Sequence, residues 1–178
     1  MKFFLISPSL PSNEHVDLIY YRLPLDVYLQ TLVDGKAVMV PVVDLLAGRK
    51  VVIVGVPACF TKPCKKHIQG FKALHSEFMQ HCSMIICVSV TDPFVADAWK
   101  EDLEYPEVVM LSDGNARFAK TLGLEMETGS FGGLRLNRFS MVVDDGVVKA
   151  LNVERGGDLT EVSSAESLLR ILEEDNLD

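Results

Sequence analysis

Lys50-Val51-Val52-Ile53-Val54-Gly55-Val56-Pro57-Ala58-Cys59-Phe60-Thr61-Lys62-Pro63-Cys64-Lys65-Lys66-His67 decides how this chain folds. From Lys50 to Val56 the residues are almost all apolar and β-branched, which marks a strand covered on both faces. A turn follows, and then Pro63. Its ring fixes a helix-ready φ and disfavours helical geometry at Lys62, so the helix is expected to begin at Pro63 with Cys64 in its first turn. That places a sulfur where unpaired backbone N–H groups converge with Lys62, Lys65 and Lys66, which favours thiolate over thiol. A thiolate is a nucleophile. Thr61, three residues earlier, is placed either to cap the helix or to point at the sulfur.

Outward from this run, further strands are expected over Met84 to Val90, Val108 to Leu111, Phe139 to Val143 and Val147 to Leu151. The last two flank Asp144-Asp145-Gly146, a hairpin turn signal. A helix from Pro63 to about Gln80 presents Phe71, Leu74 and Phe78 on one face. Thr91-Asp92-Pro93 opens a second helix, with Asp92 as N-cap and Val95, Ala98 and Trp99 facing the core. Asn115 to Leu122 forms a short helix that ends at Gly123. The last helix starts at the capping box Ser163-Ser164-Ala165-Glu166 and buries Leu168, Ile171 and Leu172. The order βαβαβα, then ββα, implies an α/β fold: a mixed central sheet with a parallel core and helices on both faces. Thioredoxin-like folds have this layout, with a reactive cysteine at the start of the helix that follows a central strand.

The 178 residues suffice for one domain with its own core over residues 1–178, the first twenty or so being an N-terminal extension. With 48% of residues apolar and a net charge of −8, the composition suits a soluble protein and opposes non-specific binding to nucleic acid or an anionic membrane. No apolar run approaches the length of a membrane span. Met1-Lys2-Phe3-Phe4-Leu5-Ile6 faintly resembles a secretory signal, but Ser7-Pro8 ends the apolar stretch and no small-residue cleavage pattern follows. The reading is a cytoplasmic protein with a loosely ordered or uncleaved first dozen residues.

Cys59, Cys64, Cys82 and Cys87 are too few and too clustered for a secreted disulfide framework, so reduced thiols are expected. The repeated five-residue step does not suit zinc, whose structural sites usually bracket tight turns with shorter spacings. Cys87 moreover falls inside the apolar run Met84 to Val90.

Pro57-x-x-x-Thr61-x-x-Cys64 resembles the active-site signature of the peroxiredoxins, and Gly55-Val56-Pro57-Ala58-Cys59-Phe60-Thr61 is similar to the GVPGAFTP of their type II (peroxiredoxin V) branch. Cys87-Val88-Ser89-Val90-Thr91-Asp92-Pro93-Phe94-Val95 resembles that branch's CLSVNDAFV, and Trp99 follows at the expected distance. Leu111-Ser112-Asp113 matches its LLAD strand end, and the run from Arg138 to Glu154 is similar throughout. The likeness covers roughly residues 22 to 175, with its motifs in order.

The resemblance implies a thiol peroxidase that reduces hydrogen peroxide and small alkyl hydroperoxides through a sulfenic acid at Cys64, with no bound cofactor or metal. It assigns Thr61 a hydrogen bond to the peroxide, Arg138 a fixed cation beside sulfur and leaving oxygen, and Pro57 the cover of the pocket. A homodimer packed near the active-site loops is also implied. No cysteine follows Cys87, so the C-terminal resolving cysteine of some relatives is absent, the segment from Leu159 to Ser163 occupying that region. Cys87 and Cys59 remain as internal resolving candidates. The favoured expectation is a one-cysteine enzyme resolved by glutathione, glutaredoxin or thioredoxin; a slow redox sensor or binding module on the same fold is the alternative. The order Thr61-Lys62-Pro63-Cys64 displaces the family's proline by one residue, and the following segment is one residue shorter. One residue turns a helix face by about 100°. His67 is accordingly read as a solvated first-turn histidine.

Overall fold

Why the central strands form is plain from their side chains. The computed structural model describes residues 20–24, 26–154 and 160–174; the expectations for the first dozen residues and for Leu159 lie outside these. In chain order the strands are β1 (Tyr21–Arg22), β2 (Tyr28–Val33), β3 (Lys36–Pro41), β4 (Lys50–Gly55), β5 (Met84–Ser89), β6 (Val109–Ser112), β7 (Glu125–Glu127), β8 (Leu134–Leu136), β9 (Phe139–Asp144) and β10 (Val147–Val153). The helices are α1 (Val42–Leu46), α2 (Lys62–Ala73), α3 (His75–Phe78), α4 (Pro93–Asp102), α5 (Arg117–Leu122) and α6 (Ala165–Glu174).

The main sheet runs β1-β10-β9-β4-β5-β6-β2-β3. β4, β5 and β6 are parallel, and every other pairing is antiparallel. Alternation along each strand divides the core in two. Val52, Val54, Ile85, Cys87 and Val142 face α2, α4 and α6, whereas Val51, Ile53, Ile86, Val88 and Val143 face α1 and α5. Both faces are covered, as the sequence implies. The thioredoxin-like, mixed α/β reading holds.

The expected Asp145-Gly146 hairpin is present, with φ of 45° and 77°, the left-handed pair that a two-residue turn requires. The same device at Asp34-Gly35 (φ 51° and 73°) joins β2 to β3, a hairpin the sequence reading did not place. β7 and β8, a separate small ladder, were likewise not expected.

Several boundaries move, each for a local reason. α2 begins at Lys62, one residue before Pro63, because the Thr61 carbonyl already accepts the first helical bond, from the Lys65 N–H at 2.9 Å. The helix expected to reach Gln80 breaks at Leu74, whose φ of −104° and ψ of 19° leave the helical region. The break brings the Phe71 and Phe78 rings into a stack with centroids 5.3 Å apart, both buried. In α4, Asp92 caps as expected, accepting from the N–H groups of Phe94 and Val95. The buried stripe is Pro93, Ala96 and Trp99, however, and Val95 and Ala98 face water. α5 starts at Arg117, two residues late, since the buried Asp113 carboxylate takes the N–H groups of Phe118 and Ala119 and Ala116 is left-handed. In α6, Ser164 supplies the cap, accepting from Ser167 N–H at 3.2 Å, while Ser163 is engaged elsewhere. Leu168, Leu169 and Leu172 are buried on α6, and Ile171 only partly.

Candidate active site

β4 delivers the chain to the site through Gly55. A Cβ here would overlap the Phe139 ring, which lies across it from the paired strand β9, so only glycine permits this approach. Val56 and Pro57 are buried, and the turn from Ala58 to Thr61 then reverses the chain with Phe60 at a left-handed φ of 64°. Thr61 donates its hydroxyl proton to the Ala58 carbonyl at 3.3 Å, closing this turn, and forms no side-chain cap. Of the two roles open to it in sequence, capping the helix is not the one it takes.

Cys64 occupies the first turn of α2 and is 1% exposed. Arg138, 74 residues away in sequence and placed just before β9, donates from Nη2 to Cys64 Sγ at 3.3 Å. This is the juxtaposition that a nucleophilic sulfur needs: a permanent cation, itself buried, that stabilises negative charge on sulfur or on an oxygen bound beside it. The lysines contribute less than their proximity in sequence suggests. Lys65 reaches away to Asp102 at 2.9 Å, and Lys62 and Lys66 project into solvent.

His67 overturns its expected place in water. It is 2% exposed, and its ring packs edge-on against Phe71 with centroids 5.5 Å apart. Its Nδ1 lies 3.3 Å from Arg138 Nη1 and its Nε2 lies 2.9 Å from the Ser163 carbonyl. Since a carbonyl only accepts, Nε2 carries the proton; since a guanidinium only donates, Nδ1 is the acceptor. The imidazole is thus neutral. Burial holds its pKa down to about 4, the Arg138 charge adding to the effect and the Ser163 bond opposing it. Ser163 in turn donates from its amide and its hydroxyl to Glu154 Oε1, at 2.8 and 2.9 Å. His67, Ser163 and Glu154 were not among the candidate residues. Each carries only a local signal in sequence (a helix turn, a capping box, a strand end), and Ser163 meets His67 across a separation of 96 residues.

All four cysteines are free thiols. Cys87 is fully buried on β5, and burial raises its pKa well above the usual range. Cys59 is partly buried beside the Ser89 hydroxyl, and burial pushes its thiol up to about 11. Of these three neighbours, Cys64 is the one in hydrogen-bond contact with a cation.

The Redoxin family profile matches residues 23–169. The chain is 44% identical over 146 residues to "Peroxiredoxin-2E-2, chloroplastic" of Oryza sativa subsp. japonica, spanning 78% of this chain and 64% of that protein. It is 42% identical over 135 residues to "Peroxiredoxin-2B" of Arabidopsis thaliana, spanning 72% of this chain and 82% of the relative. Among solved structures, reduced Prx3 of Vibrio vulnificus in complex with hydrogen peroxide is similar with a TM-score of 0.81 and 43% identity, over 85% of this chain and 96% of that one. The chain therefore spans somewhat under two thirds of the chloroplastic relative's length and nearly all of the Vibrio protein's.

Proposed function

The chain belongs to the peroxiredoxin family, in its type II branch, and from that premise we propose that it is a thiol peroxidase with Cys64 as the attacking sulfur. The observation that carries this reading is the Arg138 guanidinium on Cys64 Sγ at 3.3 Å, inside a water-poor site. The thiolate attacks one oxygen of the peroxide; the S–O bond forms as the O–O bond breaks. The departing oxygen takes a proton and leaves as water or an alcohol. Sulfur ends as a sulfenic acid, oxidised by two electrons while the peroxide is reduced by two.

Arg138 serves both ends of this step, because negative charge moves from sulfur to the departing oxygen within reach of one guanidinium. A fixed donor aimed at developing charge is worth about 10²–10³ in rate. Thr61 has its proton committed to the Ala58 carbonyl, so its lone pairs are free to accept from the peroxide O–H and align the O–O bond. Pro57 covers the turn above the sulfur and excludes water. A sulfur only 1% exposed suits hydrogen peroxide and small alkyl hydroperoxides better than bulky ones.

Resolution falls to an external thiol: glutathione, glutaredoxin or thioredoxin. Cys59 and Cys87 are held protonated by burial, and a thiol attacks poorly. The external thiol condenses with the sulfenic acid to a mixed disulfide and releases water. The chain acts as a homodimer. It works in a reducing compartment, either the cytosol or an organelle interior such as those named for the chloroplastic and mitochondrial relatives.

Stopped-flow peroxide consumption tests the reading. Cys64→Ser is expected to fall to the background rate, and a variant that keeps its rate rejects Cys64. Intact mass after one equivalent of peroxide and excess glutathione is expected to show a glutathione adduct at Cys64; an intramolecular disulfide would overturn the one-cysteine mechanism.

A further inference from the structure

Arg138 is held by more than its own strand. Its Nη1 donates to His67 Nδ1 at 3.3 Å, and His67 Nε2 donates to the Ser163 carbonyl at 2.9 Å. Ser163 donates twice to Glu154 Oε1, at 2.8 and 2.9 Å. The Glu154 amide then donates to the Arg138 carbonyl at 2.8 Å. The bonds close a ring, Arg138–His67–Ser163–Glu154–Arg138, whose four members are all buried. They come from four places in the fold: the start of β9, the first turns of α2, the end of β10 and the entry to α6.

We propose that Glu154 and Ser163 are positioning residues for the Cys64 reaction, acting through His67 to hold the Arg138 guanidinium on the sulfur. The inference rests on the peroxidase reading only for its activity readout. Arginine is rich in rotamers, and a side chain free to sample them delivers its charge to one point only part of the time. Here each link fixes the next. Glu154, accepting both Ser163 donors on one oxygen, sets the direction of the Ser163 carbonyl. The carbonyl fixes the His67 tautomer, and the bare Nδ1 then fixes Nη1, which leaves Nη2 on Cys64. Ser163 enters α6 directly, and α6 is anchored by buried Leu168, Leu169 and Leu172. Seating of the last helix therefore completes the active site, although none of the ring's four residues lies within α6 itself.

Two variants separate hydrogen bonding from charge and from bulk. Glu154→Ala removes the acceptor; Glu154→Gln keeps an oxygen where Oε1 stands. The measurements are kcat/KM for hydrogen peroxide, the rate of Cys64 alkylation by iodoacetamide at pH 7, and Tm. Glu154→Ala is expected to lower kcat/KM by about tenfold or more and to slow alkylation in parallel, with Glu154→Gln recovering most of both. In an Arg138→Met background, Glu154→Ala is expected to have little further effect on either rate, since the ring acts through that one guanidinium. A loss of equal size in both backgrounds overturns the proposal, as does wild-type behaviour of Glu154→Ala. Where Glu154→Ala fails to fold, His67→Phe takes its place: it keeps an aromatic ring in the site but offers Arg138 no acceptor, and must show the same loss. If the wild-type chain consumes no peroxide, the peroxidase reading fails, while the alkylation series still decides the positioning role.

Discussion

His67 shows how burial overrides local composition at the scale of one residue. The lysines around it suggest water, yet it stands three positions past Cys64 and four before Phe71, on the helix face that both share. The fold covers it with the chain entering α6 and sets Arg138 against it. The consequence is a pH dependence with a definite sign. In the unfolded chain the imidazole takes a proton near pH 6.5, and in the folded chain not until about pH 4. Between those values the unfolded state binds more protons, so stability is fully present above about pH 6.5 and is lost as pH falls toward 4. From this residue alone the loss between pH 7 and pH 5 is about 2 kcal/mol. Urea unfolding at the two pH values measures it. The wild-type chain should lose that much more than His67→Gln, whose amide does not titrate. Parallel losses in the two proteins would mean that His67 is not held neutral.

At the scale of an element, α4 is the best-written segment of the chain, since its start lies in three adjacent residues. Asp92 accepts two N–H groups of the first turn and Pro93 needs none. Asp92→Ala should cost about 1 kcal/mol and lower Tm by a few degrees in differential scanning calorimetry, with no comparable change for Asp97→Ala on the same helix. An unchanged Tm would show that the cap is dispensable. What was legible in the sequence was local in this way: the apolar central strands, the Asp145-Gly146 turn, the cap, and a sulfur at a helix start. Helix phase was less so. Val95 is as apolar as Ala96, and only packing against β2 and β6 turns the smaller residue inward. The count that set Phe71 and Phe78 on one face was right about the pair, but the break at Leu74 between them, with which their rings stack, left no mark in it. The ring around Arg138 was out of reach for a plainer reason. Its members are ordinary residues in four segments, and nothing in the capping box at Ser163 says that its serine will be taken by Glu154.

Across the whole molecule, the C-terminal ends of the parallel strands gather both the chemistry and three exposed phenylalanines. Phe60 follows β4 and Phe94 follows β5. Phe131 sits in the β7–β8 loop, which Arg135 ties to the end of β5 by donating to the Val90 carbonyl at 2.8 Å. Their exposures of 54, 57 and 67% are high for phenylalanine, and the rest of the surface is dominated by a net charge of −8. Copies of this chain repel one another at long range, so the homodimer proposed above needs an apolar contact, and this end offers one. Phe60 adds a link to catalysis. It stands next to Thr61 in a left-handed conformation that costs an aromatic residue about 1 kcal/mol or more, and its ring lies 6.5 Å from that of buried Trp99. Covering the exposed side of that ring would offset the strain and steady the turn that carries Thr61. Phe94→Glu places a charge in the patch at a residue outside the turn. Sedimentation equilibrium should then show a dimer for the wild-type chain and a dissociation constant raised about 30-fold or more for the variant. Because the copies share one sign of charge, moderate salt should tighten the wild-type dimer rather than loosen it. The variant's kcat/KM for peroxide should fall by a few-fold below its dimerisation midpoint and recover at higher protein concentration. A wild-type chain that stays monomeric at millimolar concentration would sink the dimer, and a dissociation constant unmoved by Phe94→Glu would place the interface on another face.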